Sequence, residues 1–300
     1  VLGAWMAGAF LVVSISAYYV LRGRHLEFAR ASLKVGLAFA TAATLLQMVS
    51  GDSTAKGVVK NQPVKLAAIE GLYKTEPSAP LVLFGWVDAK TETVHGPAIP
   101  GLLSFLSYYD FNKPVAGLND LPPDEFLLRH HPGASAAELP TLRKDYWPNV
   151  PLVFQTYHLM VGVGSALLAL ILVACFYWWR GWLFDTSRRS TRWLLAALVL
   201  SVLGPQIANQ AGWFTAEAGR QPWIVWELLR TSDAVSKVVT ANQIIASMIL
   251  FTLVYMLLFV MFIFLLTRKI QHGPDHGEES HEMPESWKAV LRSDDQESRA

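Results

Sequence analysis

The fold is decided by the stretch PLVFQTYHLMVGVGSALLALILVACFYWW, residues 151–179, an apolar run without Asp, Glu, Lys or Arg that is long enough to cross a bilayer. Four other stretches share this character. The five predicted spans are residues 1–21, 33–50, 152–179, 193–211 and 243–267. The chain is 52% hydrophobic and 16% charged, which differs from an average soluble protein. The sequence therefore predicts an all-α, polytopic transmembrane helix bundle.

Charge and cysteine content exclude several other classes of protein. The net charge is +1 and no basic stripe is present, so nothing indicates a nucleic acid partner. The single cysteine, Cys175, lies in an apolar run, which excludes a disulfide framework and a cysteine-based metal site. We interpret Cys175 as a packed thiol.

The spans divide the chain into four parts. Residues 1–50 hold two spans, and residues 51–150 form a hydrophilic segment with scattered Gly, Pro and charged residues. Residues 151–270 hold three more spans. Residues 271–300 are rich in His, Glu and Ser and are expected to be a disordered tail. The histidines of this tail are interpreted as solvated and not as a metal site: His272, His276 and His281.

The hydrophilic segment is expected to fold and not to be a free linker. Its apolar stretches, residues 79–87 and 99–108, are too short to span a bilayer. We expect them to pack the segment onto the membrane face as a cap.

Basic residues set the predicted orientation, because short cytoplasmic loops carry an excess of Lys and Arg. Alternate connections are basic, and their residues are Arg22, Arg24, Arg30, Lys34, Arg180, Arg188, Arg189, Arg192, Arg268 and Lys269. The segment 51–150 is therefore expected on the outer side of the membrane and the C-terminus in the cytoplasm.

The first residues indicate a helix that begins before Val1. Residues 1–21 are apolar without a preceding charged region, unlike a signal peptide. We expect the chain to be the C-terminal part of a longer protein.

The third span contains a candidate haem ligand. Met160 and Gly164 are stacked on one helix face, and Gly162 and Gly164 leave room beside the sulfur for a flat macrocycle. A thioether is an axial ligand of low-spin electron-transfer haem. The alternative is that Met160 fills space and the glycines serve helix packing. His158 faces another side of the helix, either as a functional intramembrane histidine or in a hydrogen-bonded packing role.

The stretch GWFTAEAGRQPW, residues 212–223, follows an apolar span directly. Trp213, Glu217 and Arg220 are spaced i, i+4 and i+7, so a continuous helix would carry all three on one face. The Glu217 carboxylate is a hard donor suited to a high-spin haem iron, and Arg220 suits haem propionates. The alternative is an i, i+3 ion pair between Glu217 and Arg220 at a helix end.

The hydrophilic segment contains KLAAIE, residues 65–70. If it is helical, Lys65 and Glu70 are well over 90° apart and flank a surface. The pair suits a polar head group, with Lys65 donating to its oxygens and Glu70 taking its protons. The alternative is two ordinary surface charges on an amphipathic helix.

In this order along the chain, SISAYYVLRGR, KLAAIE, LMVGVG, GWFTAEAGRQPW and LRTSDAVS resemble segments of subunit I of the cytochrome bd quinol oxidases. The likeness covers nearly all of the chain except the tail. It implies a membrane enzyme that oxidises quinol at the outer face and reduces dioxygen to water.

The resemblance also implies residue roles. Met160 matches the methionine ligand of the low-spin haem b. Glu217 matches the glutamate ligand of one of two high-spin haems, the second haem b or haem d. Arg220 and Trp213 match residues beside those haems. Lys65 and Glu70 match the quinol-binding pair, which makes residues 51–150 the Q-loop.

The partners implied by the resemblance are subunit II, small single-span subunits, membrane lipid and the earlier spans of subunit I. The implied location is the bacterial inner membrane, with the Q-loop periplasmic. The chain resembles about the last five of nine spans, and a histidine ligand is expected just ahead of Val1. His158 departs from the family, because many relatives have Arg at this position.

Two alternative functions are an ion-coupled transporter that uses Glu217 and Arg220 at a broken helix, and a haem-free scaffold subunit. Against the transporter, the sequence contains no internal repeat.

Overall fold

The computed structural model describes residues 1–226, 228–236 and 238–274. Its helices are α1 (Leu2–Arg22), α2 (Leu26–Asn61), α3 (Pro63–Glu70), α4 (Leu102–Tyr108), α5 (Asp124–His130), α6 (Leu139–Lys144), α7 (Val150–Trp179), α8 (Arg189–Leu200), α9 (Leu203–Ala218) and α10 (Ala241–His272). Its strands are β1 (Leu81–Val82), β2 (Trp86–Asp88), β3 (Thr93–His95), β4 (Ala98–Ile99), β5 (Trp223–Val225) and β6 (Leu229–Arg230). Short 3-10 turns cover Leu118–Asp120 and Thr231–Ala234.

The predicted membrane-helix architecture is confirmed. Within the described residues, α1, α2, α7 and α10 are long and apolar enough to cross a membrane, and α8 with α9 can form a fifth, bent span. The fifth span was predicted as one helix over residues 193–211. Instead it bends by 42° between α8 and α9. Pro205, near the start of α9, has no N–H to donate to the preceding turn, which favours the break at this point.

The second span is longer than predicted. The expected boundary at residue 50 falls inside α2, which continues through polar residues to Asn61. Near its end, Val58 and Val59 pack against the core of the hydrophilic segment. This tertiary contact, which local composition does not reveal, explains why the polar extension is helical.

Small and hydroxyl residues bring the helices of residues 1–238 together. A side-chain carbon at Gly36 of α2 would lie 3.1 Å from Val13 of α1, and one at Gly204 of α9 would lie 2.6 Å from Leu167 of α7. The Ser14 hydroxyl of α1 donates to the Val199 carbonyl of α8 at 2.7 Å. Close packing and interhelical hydrogen bonds of this kind stabilise helix association in lipid, where no hydrophobic driving force acts between helices.

Cys175 is half-buried, and its sulfur lies 3.4 Å from the Thr41 hydroxyl, which links α7 to α2. This environment is that of a packed thiol.

The hydrophilic segment folds around its own apolar core. Strands β2 and β3 form an antiparallel hairpin, and β1 pairs with β4 as a second two-stranded antiparallel sheet. The core they share with α3 and the start of α7 includes Ala68, Leu118 and Phe154, which are fully buried. Arg143 of α6 stabilises the loop that precedes α5 by donating to the carbonyls of Pro122 (3.0 Å) and Asn119 (2.6 Å).

Residues 239–274 form a second unit that contains α10. This helix begins with a capping box, in which the Thr240 side chain accepts from the backbone of Gln243 and the Gln243 side chain accepts from Thr240 N–H. It continues to His272, two residues past the predicted boundary at 270. The rest of the predicted tail, with His276 and His281, lies outside the described residues.

Candidate functional site

The site is built on α3, a short helix that packs against α7 and reaches α9 through Lys65. Pro63 starts α3, and Gly71 ends it in the left-handed conformation with φ +65°. A side-chain carbon at Gly71 would lie 2.6 Å from Val94 and 3.2 Å from Phe154, so only glycine allows this close approach. The end of α3 is thereby pressed against α7 and the β2–β3 hairpin.

Glu70 is the last residue of α3 and points into the protein. Its side chain is 5% exposed, so the alternative interpretation as a surface charge is wrong for this residue. The carboxyl Oε2 atom is buried without a hydrogen-bond partner. Burial raises the pKa of Glu70 to about 8, and the Tyr157 hydroxyl of α7 acts in the opposite direction.

Lys65 lies on a different side of α3 and reaches α9. Its ammonium donates to the Ala216 carbonyl at 3.1 Å. Burial is the main cause of a lowered Lys65 pKa; the Arg220 charge adds to this effect and the Glu217 charge opposes it. As the five-residue spacing predicted, Lys65 and Glu70 diverge, and the structure gives them no ion pair with each other.

Glu217 and Arg220 form the ion pair that was the alternative interpretation of their spacing. The helix α9 ends at Ala218, so Arg220 follows in a turn and the expected continuous helical face is wrong. Both side chains of the pair are 41% exposed. Arg220 Nε is buried without a hydrogen-bond partner, so the pair leaves part of the guanidinium unsatisfied.

Met160 lies against α9. A side-chain carbon at Gly212 would fall 2.8 Å from the Met160 sulfur, so this glycine gives the thioether its room. On α7 itself, the space around Gly162 and Gly164 is open, with no atom within 4 Å of an added side-chain carbon. Trp213, next to Gly212, is 65% exposed.

His158 has the hydrogen-bonded packing role that was one of its two interpretations. Its ring stacks on Phe154 with centroids 3.9 Å apart. One ring nitrogen lies 2.9 Å from the Phe154 carbonyl and the other 2.9 Å from the Val82 carbonyl of β1. A cofactor role for His158 remains a prediction.

No sequence pattern indicated three residues at this site. Tyr157 packs against the core that contains α3, Gln155 donates to the Gly85 carbonyl at 2.8 Å, and the Thr156 hydroxyl lies 2.9 Å from that of Thr215 on α9. Each contact joins positions far apart in the chain. A local pattern carries no signal for such a contact.

The donor residues suit a haem better than a bare metal ion. Among the described residues, no three His, Cys, Asp or Glu side chains come together as a metal cluster. A porphyrin supplies four of the iron's ligands and needs only axial donors from the protein. Met160 beside an open, glycine-lined surface, and Glu217 beside a guanidinium with an unpartnered nitrogen, fit that requirement.

Comparison with known proteins agrees with these features. The model of the family described as cytochrome bd terminal oxidase subunit I matches residues 1–274. The cytochrome bd ubiquinol oxidase subunit 1 of Bacillus subtilis (strain 168) is 32% identical over 292 residues, covering 95% of this chain and 58% of that protein. The cytochrome bd-II ubiquinol oxidase subunit 1 of Escherichia coli (strain K12) is 31% identical over 320 residues, covering 91% of this chain and 61% of that protein.

A solved structure gives the same result. The bd oxidase from Geobacillus thermodenitrificans superposes with a TM-score of 0.70 at 28% identity, covering 91% of this chain and 56% of that one. The chain thus spans a little over half the length of the relatives it matches. These matches favour the oxidase over the transporter and scaffold alternatives.

Proposed function

Because the chain belongs to the cytochrome bd terminal oxidase subunit I family, we propose that it is part of a respiratory oxidase that oxidises quinol and reduces dioxygen. Two quinols and one dioxygen give two quinones and two waters, so four electrons and four protons leave the quinols. Residues 51–150 act as the Q-loop, and α7 and α9 carry haem ligands.

One observation supports this proposal most strongly: α3 contacts both helices that carry the predicted ligands. Gly71, next to Glu70, lies against Phe154 of α7, and Lys65 donates to the Ala216 carbonyl of α9, one residue before Glu217. A substrate bound along α3 therefore lies next to both candidate ligand positions. Electron transfer from a quinol requires this proximity.

Glu70 accepts a proton from the quinol hydroxyl. A buried carboxyl whose pKa is raised to about 8 is a far stronger base than an exposed one, once it is ionised. Lys65 binds the other end of the head group, donating from its ammonium to a quinol or quinone oxygen. Each residue acts from its own side of α3, which orients the ring between them.

Met160 and Glu217 are the residues that would hold haem. Met160 would hold a low-spin haem b, and Glu217 a high-spin haem, either the second haem b or haem d, with Arg220 and Trp213 beside that cofactor. Bound haem would supply the one-electron redox chemistry that links quinol to dioxygen. Arg220 would pair with haem propionates through the nitrogens that Glu217 does not occupy.

The relatives are named as subunit 1 of their oxidases, and this chain acts in a complex with subunit II and small single-span subunits. Earlier spans of subunit I complete the haem sites. The location is the bacterial inner membrane, with the Q-loop in the periplasm and the C-terminus in the cytoplasm.

The test is a reduced-minus-oxidised absorbance spectrum of the complete oxidase, combined with quinol-driven oxygen uptake. We expect haem bands together with oxygen uptake that depends on quinol, and a lower kcat/KM for quinol in Lys65→Ala at unchanged haem content. A complete oxidase without haem bands would overturn the proposal.

A further inference from the structure

Two basic side chains of α2 share one aromatic ring from the connection between α7 and α8. The guanidinium carbon of Arg30 lies 5.7 Å from the centroid of the Phe184 ring. The ammonium of Lys34, one helical turn further along α2, lies 5.9 Å from the same centroid. The connection is anchored beside this ring, since Leu183 is fully buried. The two positive charges are therefore held close to each other.

These two charges lack an acidic partner. Arg30 and Lys34 form no ion pair within the part of the chain that the structure describes. Asp185, the acid of the α7–α8 connection, pairs with Arg188 at 2.8 Å. Glu27, three residues before Arg30, is exposed and has no ion pair among the described residues either. Like charges held side by side repel each other, so an anion between them stabilises the arrangement.

The surroundings of this pair favour a phospholipid over a soluble anion. Arg30 and Lys34 are exposed at the end of the helix bundle where α7 joins α8. Large aromatic side chains are exposed near the same end, namely Phe28, Trp179 and Trp193. Exposed tryptophans at the ends of apolar helices are typical of the membrane–water interface, where lipid head groups lie. Basic pockets between membrane helices at this level bind anionic head groups.

We propose that Arg30, Lys34 and Phe184 form a binding site for the phosphate of an anionic phospholipid such as phosphatidylglycerol. The phosphate lies between the two positive charges, and the acyl chains run along the exposed Val35 and Phe39 of α2. The Phe184 ring holds both cations, since an aromatic face attracts positive charge. The site goes beyond the proposed function and is independent of it, because it contains no residue of the quinol or haem sites.

The test uses the full-length oxidase with its partner subunits, purified in a neutral detergent and stripped of lipid. The first variant combines Arg30→Gln with Lys34→Gln and removes both charges of the site. Its matched control combines Arg189→Gln with Arg192→Gln, which removes the same charge from exposed residues at the start of α8. All four side chains are exposed, so neither variant disturbs the core.

Native mass spectrometry measures the Kd of the most tightly bound phosphatidylglycerol. A basic side chain at a membrane surface gives roughly a fivefold gain in affinity for anionic lipid. We therefore expect Arg30→Gln with Lys34→Gln to weaken binding about 25-fold, and the α8 control to match wild type. Equal weakening in the two double variants would show only a diffuse positive surface and would overturn the site.

The role of the ring is tested by Phe184→Leu, which keeps both charges. We expect an affinity between those of wild type and of Arg30→Gln with Lys34→Gln, because the two cations lose the aromatic face that holds them together. Wild-type affinity in Phe184→Leu would contradict the shared ring as the basis of the site.

Two further ligands identify the source of the phosphate. Phosphatidylcholine has acyl chains and a head group without net charge, whereas glycerol 3-phosphate has an anionic phosphate without chains. Both should bind the wild-type oxidase far more weakly than phosphatidylglycerol does. Equal binding of glycerol 3-phosphate would assign the site to a soluble anion, and equal binding of phosphatidylcholine would show that charge is not recognised. Either result overturns the proposal, whatever the outcome for quinol oxidation and haem content.

Discussion

Glu70 of α3 and Glu217 of α9 are two carboxylates with opposite environments. Glu70 is buried, has no ion pair among the described residues and keeps one oxygen without a partner. Glu217 is half-exposed and paired with Arg220. The first environment penalises charge and favours proton exchange. The second places a hard oxygen donor, of the kind that binds a metal, at a half-exposed position. Residue type alone therefore does not define a role, and the following predictions test the difference.

The largest expected effect concerns Glu217. Glu217→Ala in the complete oxidase should abolish one high-spin haem signal, because the haem loses its axial donor, while the low-spin signal from the site at Met160 remains. Absorbance spectra of the purified complex measure both signals.

Glu125→Ala is the matched control for that variant, since Glu125 forms a comparable ion pair with Arg129 one helical turn away. It should retain every haem. If Glu217→Ala also retained every haem, Glu217 would be only an ion-pair partner.

An intermediate effect concerns the pH dependence of stability at Glu70. Its pKa is about 8 when folded, against an ordinary value of 4.5, so the folded state binds the proton more tightly. The stability that the folded state gains from this proton is fully present below the ordinary pKa of 4.5. It is lost as the pH rises through about 8, by at most about 1.4 kcal/mol per pH unit. Glu70→Gln should therefore resemble wild type at pH 5 in thermal unfolding and exceed it at pH 9.

Glu92 offers a control of opposite sign. Lys144 is the main cause of a lowered Glu92 pKa, so its contribution is present at high pH and is lost on acidification. Glu92→Gln should lower the unfolding midpoint more at pH 9 than at pH 4. Parallel pH curves for Glu70→Gln and wild type would show that Glu70 is not buried as described.

The smallest effect concerns the anchor between α7 and the Q-loop. His158→Ala removes the bond to the Val82 carbonyl and should destabilise the β1–β4 sheet by about 1 kcal/mol. The measurement is the rate of limited proteolysis within residues 51–150. His158→Arg keeps a donor and should be cut more slowly than His158→Ala; equal rates for His158→Ala and wild type would exclude the anchor.

Much of the fold could be predicted from the sequence because membrane spans are long, local and apolar. The structure places helices at all five predicted stretches, and the bend before α9 had a local signal in Gly204 and Pro205. The extension of α2 to Asn61 had none, since it depends on Val58 and Val59 meeting the Q-loop core.

The candidate site could be predicted only in part, because some of its contacts join positions that are far apart in the chain. The spacing of Lys65 and Glu70 fixed their divergence once α3 was helical. The burial of Glu70 and the space that Gly212 gives Met160 depend on tertiary packing, so no local pattern indicates them.

The central claim is that quinol oxidation takes place at Glu70 and haem ligation at Glu217. Stopped-flow reduction of the low-spin haem by ubiquinol-1, without oxygen, tests it most directly. The account predicts that Glu70→Gln slows this first reduction by about a hundredfold, while Glu217→Ala leaves its rate unchanged. Wild-type reduction rates in Glu70→Gln would contradict it.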